Sequence, residues 1–596
     1  MPNIVTHKLK VNQVNLLRAD MTTNTNPYFV FFGRPRPYQN GDGVNIDATP
    51  PEVDVSVNGI TYETYQTMIG AKLITSNDLA PMVRDVQWES GVYYSQYDHT
   101  DMLLSTKDWY VTVIRGTNRD VFICLSNAGG RPSTVAPNYN DTSAADSGGY
   151  ETSDGYRWKY MYTISQTNYN KFGMSGYVPV IPNANVSANA VSGAINFVDV
   201  TYGGLNYNSY HSGTIREAVV NGSPLVYTIE STAAANADFY SNCAIKITGG
   251  KGVGQIRRIS SYNGDTKRIT FDVGDEFTIT PNTSSTYEIT PRVVLAGDGQ
   301  DFEGRALVNA SSSNSIYKIE VVNPGVGYTW STAVVAGNTG GITSANAIIT
   351  PIISPYGGHG FNPADELHST RLGISVKFDS TESSGKIIDV NDFRTVGIIK
   401  KPYFADVTLT VDSSADFNVG DTIQQNNTGV YGVITSIPSI TVMHVSNVVG
   451  YFTTNNNVFS TANSSNVANV SSVAGQSNYV NQTTRLVLGG TTGSYDLDGY
   501  VSQGSIANGY VYHANTTVAY LTNVFGDFAE TSALSGTSSE TNLTGNASGV
   551  TMLSQITSIT QGDFVNGSGE VLYIDNKSPI AKTTDQTETF KIILEF

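Results

Sequence analysis

Charge is scarce in this chain: only 14% of its 596 residues are Asp, Glu, Lys or Arg. Basic residues are the scarcer sign, 34 against 51 acidic, for a net charge of −17, and no Lys/Arg cluster offsets the balance locally. Such a surface repels phosphates, which excludes a nucleic-acid partner; the acidity reads as solubility of a polar surface. Cysteine is nearly absent. Cys124 and Cys243 are too few and too far apart for a disulfide framework. Cys124 lies in the apolar run Val121 to Leu125, where a thiol behaves as a small hydrophobe. Long apolar stretches are missing too. Runs such as Tyr28 to Phe32 fall far short of the ~20 residues that cross a bilayer. The N-terminus carries no apolar segment of the kind that directs secretion. The expectation is a protein made and kept soluble in a cytoplasm, without membrane insertion.

What is present is Gly (57 residues), Tyr (35) and much Ser, Thr and Asn. Small polar residues with many Tyr suit strands joined by polar turns, and 39% hydrophobic content argues against wholesale disorder. The length allows two to four domains. A mainly β fold is expected, with a few short helices in loops.

Val11, Val14 and Leu17 recur at helical spacing and predict a helix ahead of the turn Asn24-Thr-Asn-Pro27. Tyr28 to Phe32 reads as a buried strand ending at Gly33-Arg34-Pro35. A second helix is expected after Asn58-Gly59, with Tyr62, Tyr65 and Ile69 on one face and Gly70 stopping it. Trp109 to Ile114 and Val121 to Leu125 form a predicted hairpin around Gly116. Residues 127–153 read as an exposed loop, Tyr156 to Ile164 as a strand, and Gly176 to Pro182 as the close of the segment.

From 191 to 390 short strands alternate with Gly/Asn/Asp turns, an all-β pattern. Ala244 to Ser260 reads as two strands about a glycine-rich turn, and Asn263-Gly264 as a hairpin signal. Ile316 to Val322 reads as a strand ended by Asn323-Pro-Gly-Val-Gly-Tyr328. In 404–553, Phe417 to Ile423 with Gly429 to Ile434 is the best-formed unit. Gly489 to Gly504 reads as a degenerate second copy, and 454–478 and 535–550 read as loops. Near the C-terminus Leu572 and Ile574 alternate with Tyr573 and Asp575. Phe590, Ile592 and Leu594 alternate with Lys591, Ile593 and Glu595. These are two strands with one face buried, the second tying the terminus into a sheet.

Candidate chemistry is thin. Ala145-Asp-Ser147-Gly-Gly149 echoes the nucleophile segment of trypsin-like proteases. That chemistry needs a His base and an orienting carboxylate, and Ser147 sits in a low-complexity segment that reads as loop. Gly249-Gly-Lys251-Gly-Val-Gly254 has Gly where a phosphate cradle needs Ser or Thr, and a strand pattern follows where a helix is required, so it reads as a turn. His359, Asp365, Glu366 and His368 cluster locally, but their spacing fits no zinc or calcium pattern; a surface turn around Gly357-Gly358 is expected. Asp496-Leu-Asp-Gly499 hints at a calcium loop whose twelfth position is Ala507, and reads as a turn. Scattered carboxylates leave glycoside hydrolysis open, yet no aromatic-rich segment after residue 330 suggests a sugar groove.

Several motifs together resemble one family, the gene product eight baseplate wedge subunits of T-even-type contractile-tail bacteriophages. Phe31-Phe-Gly33-Arg34 resembles that family's strand ending in Phe-Gly-Arg, and Met68-Ile-Gly70 its Met-Met-Gly helix. Asp85 and Trp88 stand where the family has Arg-Asp-Trp, with two residues intervening and the basic pair reduced to Arg84. Asp154-Gly155-Tyr-Arg-Trp158-Lys-Tyr-Met161 is similar to an Asp-Gly-Tyr-x-Trp-x-Tyr-Leu segment. Asn391-Asp-Phe393-Arg394 running to Pro402 is similar to a Phe-Arg strand that ends in an Asn-Pro turn. Tyr573 to Ile580, with Asn576 and Pro579, and Asp585-Gln586-Thr-Glu588 resemble the C-terminal signature most closely. The resemblance covers roughly 1–185, 385–403 and 554–596.

It implies a layered β-sandwich core divided as follows: 1–190, the N-terminal part of the wedge core; 191–384, a β-rich insertion; 385–403, a core strand; 404–553, a second β-rich insertion; and 554–596, the C-terminal core strands. Loop closure tolerates insertions of that size. It further implies a homodimer in the virion tail baseplate, assembled in the host cytoplasm. Its partners would be other wedge proteins and fibre-attachment proteins, and it would help the plate change from resting to fired state. No enzyme activity, catalytic residue, cofactor or metal comes with it. Candidate interface or core-signature residues are Gly33, Arg34, Trp88, Trp109, Asp154, Gly155, Trp158, Phe393, Arg394, Asn576, Pro579, Asp585 and Gln586. Tyr28, Tyr62, Tyr65, Tyr93 and Tyr94 are further aromatic anchors, weighed against core packing, and Arg34 with Asp585 is a candidate ion pair. The alternative is a tail-fibre or tailspike component that binds or cleaves host-surface glycans. Its β-rich composition would be the same, but its symmetry three-fold.

Overall fold

The computed structural model describes residues 6–53, 57–138, 149–174, 176–208, 210–219, 226–309, 311–336, 346–378, 392–491, 495–536, 552–581 and 587–596. Strands dominate, as the composition predicts. Two compact units divide the chain: Met1–Val11 with Pro81–Arg371, and Asn12–Ala80 with Leu372–Phe596. The first unit runs through the composition shift at residue 190 without a break.

In the second unit a five-stranded antiparallel sheet forms the middle of a layered sandwich. Its order is Tyr479–Asn481, Met68–Leu73, Tyr28–Gly33, Phe393–Lys400, Glu570–Ile580. Every residue of Tyr28–Gly33 is buried, which explains why the strand reads as an unbroken apolar run. Tyr28, Val30 and Phe32 face one way with Ile69, Val396 and Ile398. They pack on Leu372, Ile374, Val376 and Phe378, on Phe590, Ile592 and Leu594, and on Val14 and Met21 of the helix His7–Met21. Phe29 and Phe31 face the other way, with Met68, Ala71 and Ile399. They pack on Leu409, Ile423, Met443, Val445 and Val458 of a seven-stranded sheet. In that sheet Val442–Val449 also pairs with Tyr431–Ser439, so the sheet returns on itself. Six further strands, Thr484–Thr491 through Met552–Thr560, close a barrel filled by Leu486, Val501, Val511, Leu521, Leu534 and Ile556.

In the first unit, Tyr110–Arg115 and Asn118–Asn127 form the expected hairpin about Gly116, and Tyr156–Ile164 adds the next strand. The stretch Ile195–Tyr202 pairs with Ile348–Ile353. Two four-stranded sheets between His211 and Thr290 enclose their own core of Tyr227, Ile245, Ile247, Ile269, Tyr287 and Ile289. A third four-stranded sheet spans Arg292 to Ala336.

Several expectations need correction. The second helix ends at Thr67, and Met68, Ile69 and Gly70 belong to a strand. The apolar Met68-Ile69 pair is drawn into the sheet, where Met68 and Ile69 bury on opposite faces. Within 454–478 there are strands, Asn457–Ser460 and Val467–Ala474, whose small alternating Val and Ala fill the sheet interior despite polar neighbours. The strand Ser315–Val326 continues through Asn323-Pro-Gly, because Gln300–Asn309 pairs with it along that length. Tyr150–Glu151 is a short strand inside the expected loop. Residues 139–148, including Ser147, and most of 535–550 lie outside the described residues.

The C-terminal strands go to different sheets: Glu570–Ile580 pairs with Phe393–Lys400, whereas Glu588–Glu595 neighbours Arg371–Phe378. Leu572 is exposed. A bulge between the pairs Ile398↔Tyr573 and Ile399↔Val571 leaves it without an opposite residue. Val571 packs on the seven-stranded side and Tyr573 on the other.

Candidate functional site

The second unit brings Gly33, Arg34, Phe393, Arg394 and Asn576 together, because their strands are hydrogen-bonded neighbours. Gly33 ends its strand against the helix that follows it, Val57–Thr67; a Cβ there would sit 2.6 Å from Thr67 O. Arg34 then adopts φ +57°, a left-handed conformation costing a non-glycine residue about 1–2 kcal/mol. Its N–H donates to Thr67 O at 2.8 Å, its guanidinium pairs with Glu63, and the charge lies 4.3 Å from the centre of the Tyr38 ring. Glu63 is thus a partner of Arg34; Asp585, the partner expected from the sequence, and Gln586 lie outside the described residues.

Phe393 is fully buried between Phe32 and Phe590. Arg394 is buried as an ion, with Nε donating to Asp47 Oδ2 at 3.0 Å and Nη1 donating to Pro35 O. Asn576 Nδ2 donates to Pro51 O at 3.0 Å. Pro579 is exposed on the sheet's outermost strand, where its missing N–H does no harm. Arg34 and Asn576, with Tyr38, Glu63, Thr67 and Thr395, line a recess of about 140 Å³. That volume lies below the ~300–1,000 Å³ of small-molecule sites, so the recess has room for one inserted side chain. Sequence reasoning passed over Asp47 and Pro51, which sit outside any periodic segment, and Glu63, which lies in the predicted helix but off its Tyr62/Tyr65 face.

In the first unit, Trp88, Asp154, Gly155 and Trp158 converge. Trp88 is half-buried and its Nε1 donates to Ser133 Oγ at 3.0 Å. Ser133 Oγ donates in turn to Asp154 Oδ2 at 3.2 Å, which also accepts the N–H groups of Thr134 (2.7 Å) and Val135 (3.0 Å). Burial works against the Asp154 charge. Hydrogen bonds from the Thr152 hydroxyl and from the Thr134, Val135 and Tyr156 N–H groups outweigh it, and hold the carboxyl below its ordinary value. Gly155 follows at φ +88°, the turn into the next strand. Trp158 is fully buried, stacked on Tyr156 at 5.4 Å and edge-on to Tyr94 at 5.8 Å. Trp109 belongs to a different core cluster, against Tyr97, Tyr110 and His368. Of the aromatic anchors, Tyr28, Tyr65, Tyr94, Trp109 and Trp158 are core, and Tyr62 and Tyr93 are exposed.

The surface turn expected at His359 is instead buried. His359 Nδ1 and Glu366 Oε1 lie 2.6 Å apart, both side chains 2% exposed, and Glu366 Oε2 accepts the Gly360 N–H at 2.7 Å. A carboxylate drawn inward needs both partners, and they carry the segment in with it. Asp365 accepts from Asn362 Nδ2, and His368 stacks on His7 at 5.7 Å, so the four residues form no common ligand set. Among the described residues no group of three or more His, Cys, Asp and Glu is placed to hold a metal, and no helix is long and apolar enough to cross a membrane. Gly249 to Gly254 is a hairpin turn running into the strand Ile256–Arg258. Cys124 and Cys243 are both buried thiols.

The first unit also holds a cavity of about 840 Å³ bordered by Arg305, Lys318, Glu151 and Glu320. Ion pairs run along its border: Lys318 pairs with Glu151, and Arg305 with Glu288 and Glu320. Comparison of the chain with models of known protein families and with curated proteins finds no match.

Proposed function

We propose that this chain is a structural subunit of a phage tail baseplate wedge, acting as a homodimer that joins neighbouring wedge proteins as the plate passes from its resting to its fired state. One observation carries the reading. Four of the segments that resemble the wedge family, spread between residues 28 and 580, form Met68–Leu73, Tyr28–Gly33, Phe393–Lys400 and Glu570–Ile580, which are consecutive strands of a single sheet. A shared core with long insertions between its strands requires that arrangement; unrelated chance likenesses do not. The recess beside Arg34 and Asn576, sized for a side chain, suits docking of a neighbouring protein. The parts of the β-rich segments that enclose cores of their own, the sheets between His211 and Thr290 and the barrel, would decorate the wedge's outer surface.

Light scattering coupled to gel filtration tests the reading. Twice the chain mass of 63.9 kDa is about 128 kDa, the mass expected of the dimer; three times, about 192 kDa, is that of a trimer. A stable trimer overturns the wedge and favours a fibre or spike. A dimer sends the work to reconstitution with neighbouring wedge proteins.

A further inference from the structure

Two adjoining cavities of the second unit have a chemistry unlike the rest of this acidic chain. One, of about 500 Å³, is lined by Tyr403, Tyr431, Asn447 and Thr422 over a floor of Val433 and Val449. The other, of about 290 Å³, is bordered by Gln66, Gln482, Asn523 and Gln561. Asn566 lines both and makes them neighbours. Among the described residues lining either cavity, Asp527 alone is charged, in a chain of net charge −17.

The register fixes the geometry of the first cavity. Tyr403 and Tyr431 both lie opposite Val449, on the strands to either side of it. Opposite residues share a face, so the two rings flank the valine with their backbones two strand spacings apart, about 10 Å. Tyr431 is 39% exposed. At the junction Gln482 Nε2 donates to Asn566 Oδ1 at 2.9 Å, which leaves the Asn566 amide nitrogen as the donor it can offer.

The backbone around the cavity is already committed. Tyr431–Ser439 is paired on both sides, with Thr422–Gln425 and with Val442–Val449. The Tyr403 backbone accepts from Val565 N–H and donates to Ser568 Oγ. A peptide cannot add here as a strand. What remains to read an occupant is tyrosine faces, amides and hydroxyls. Apolar ring faces with neutral, two-way hydrogen-bonding groups match a ligand with C–H faces and hydroxyl edges. A nucleotide or an acidic polymer would need cations that are missing from these walls.

We propose that this groove binds a neutral saccharide, stacked against Tyr431 and Tyr403 and hydrogen-bonded by Asn447, Asn566 and the amides beyond. The proposal is independent of the wedge reading, since a dimer or a trimer can carry such a groove. Saturation-transfer NMR on the full chain, with maltotriose, cellotriose and chitotriose in turn, reads it directly, and a neutral Ser/Asn-rich hexapeptide serves as the competing probe. Transfer to the ring protons of at least one trisaccharide is expected. Tyr431→Ala should weaken its binding about tenfold, the loss that follows removal of one stacking ring. Asn447→Gly, which suits the residue's φ of +51°, should weaken binding while leaving the thermal midpoint unchanged. No transfer to any of the three, binding unaltered in both variants, or binding of the peptide in place of the sugars each overturns the proposal.

Discussion

Arg394 Nε donates to Asp47 Oδ2 at 3.0 Å although 347 residues separate the two in sequence. The pair is closed on every side: Asp47 Oδ1 accepts the Tyr38 N–H at 2.8 Å, and the Tyr38 hydroxyl donates to Arg394 O at 2.9 Å. It ties the loop after the Tyr28–Gly33 strand to the neighbouring Phe393–Lys400 strand. Removing one partner leaves a buried charge uncompensated, which costs about 3–5 kcal/mol. Arg394→Ala and Asp47→Ala should each lower the urea midpoint accordingly, and the double variant should lose less than their sum. Additive losses would mean that the two side chains act independently.

How much of this was legible beforehand depended on locality. The Tyr28 to Phe32 strand, the Gly116 hairpin and the Tyr156–Ile164 strand were readable, because their periodicity is carried by adjacent residues. Phe393 and Arg394 were singled out, but Asp47, Pro51 and Glu63 were not, because what selects them is a tertiary hydrogen bond with no local pattern. The tyrosines of the groove escaped for the same reason: Tyr403 and Tyr431 meet only through Val449. Met68 and Ile69 misled because helix and strand both bury such a pair, and tertiary pairing decided.

A second network carries a pH signature. Arg305 is 4% exposed and donates to Glu320 Oε2 (2.5 Å) and Glu288 Oε2 (2.8 Å), while Lys246 Nζ donates to Glu320 Oε1 (2.5 Å). Burial disfavours the Glu320 charge, but the Lys246 hydrogen bond and the Arg305 charge outweigh it and hold the carboxyl below its ordinary 4.5. A depressed folded value means stability that is present above pH 4.5 and is lost as pH falls through the lowered value. Thermal midpoints measured from about pH 6 to about pH 3 should therefore fall less steeply for Glu320→Gln than for the unsubstituted chain. Parallel curves would show that Glu320 titrates alike folded and unfolded.

Asp154 gathers the 133–135 segment through two N–H groups and a hydroxyl. Hydrogen bonds to a charged acceptor contribute about 1.5–3 kcal/mol. Asp154→Ala should release the segment and with it the Ser133 contact of the Trp88 indole. The expected readout is a changed tryptophan emission at temperatures where the rest of the unit remains folded, together with a lower thermal midpoint. An unchanged emission would mean that Ser133 is held in place without the carboxylate.

The bulge at Leu572 makes the last strands a test of register. Without it, Leu572 would take the alternating position that the sequence pattern suggests and would lie in a core. With it, the side chain is 45% exposed, while Phe590 on the closing strand packs edge-on to Phe378 and Phe393 at 5.3 and 5.7 Å. Leu572→Ser should therefore change stability by no more than about 0.5 kcal/mol, as at an ordinary surface position. Phe590→Ala should cost about 3 kcal/mol, because the sandwich cannot collapse around the missing ring. Urea midpoints of the two variants separate the cases. A large loss from Leu572→Ser would place that side chain inside the sandwich and shift every pair beyond Ile398↔Tyr573 by one residue, turning Val571 to the face that Tyr573 occupies.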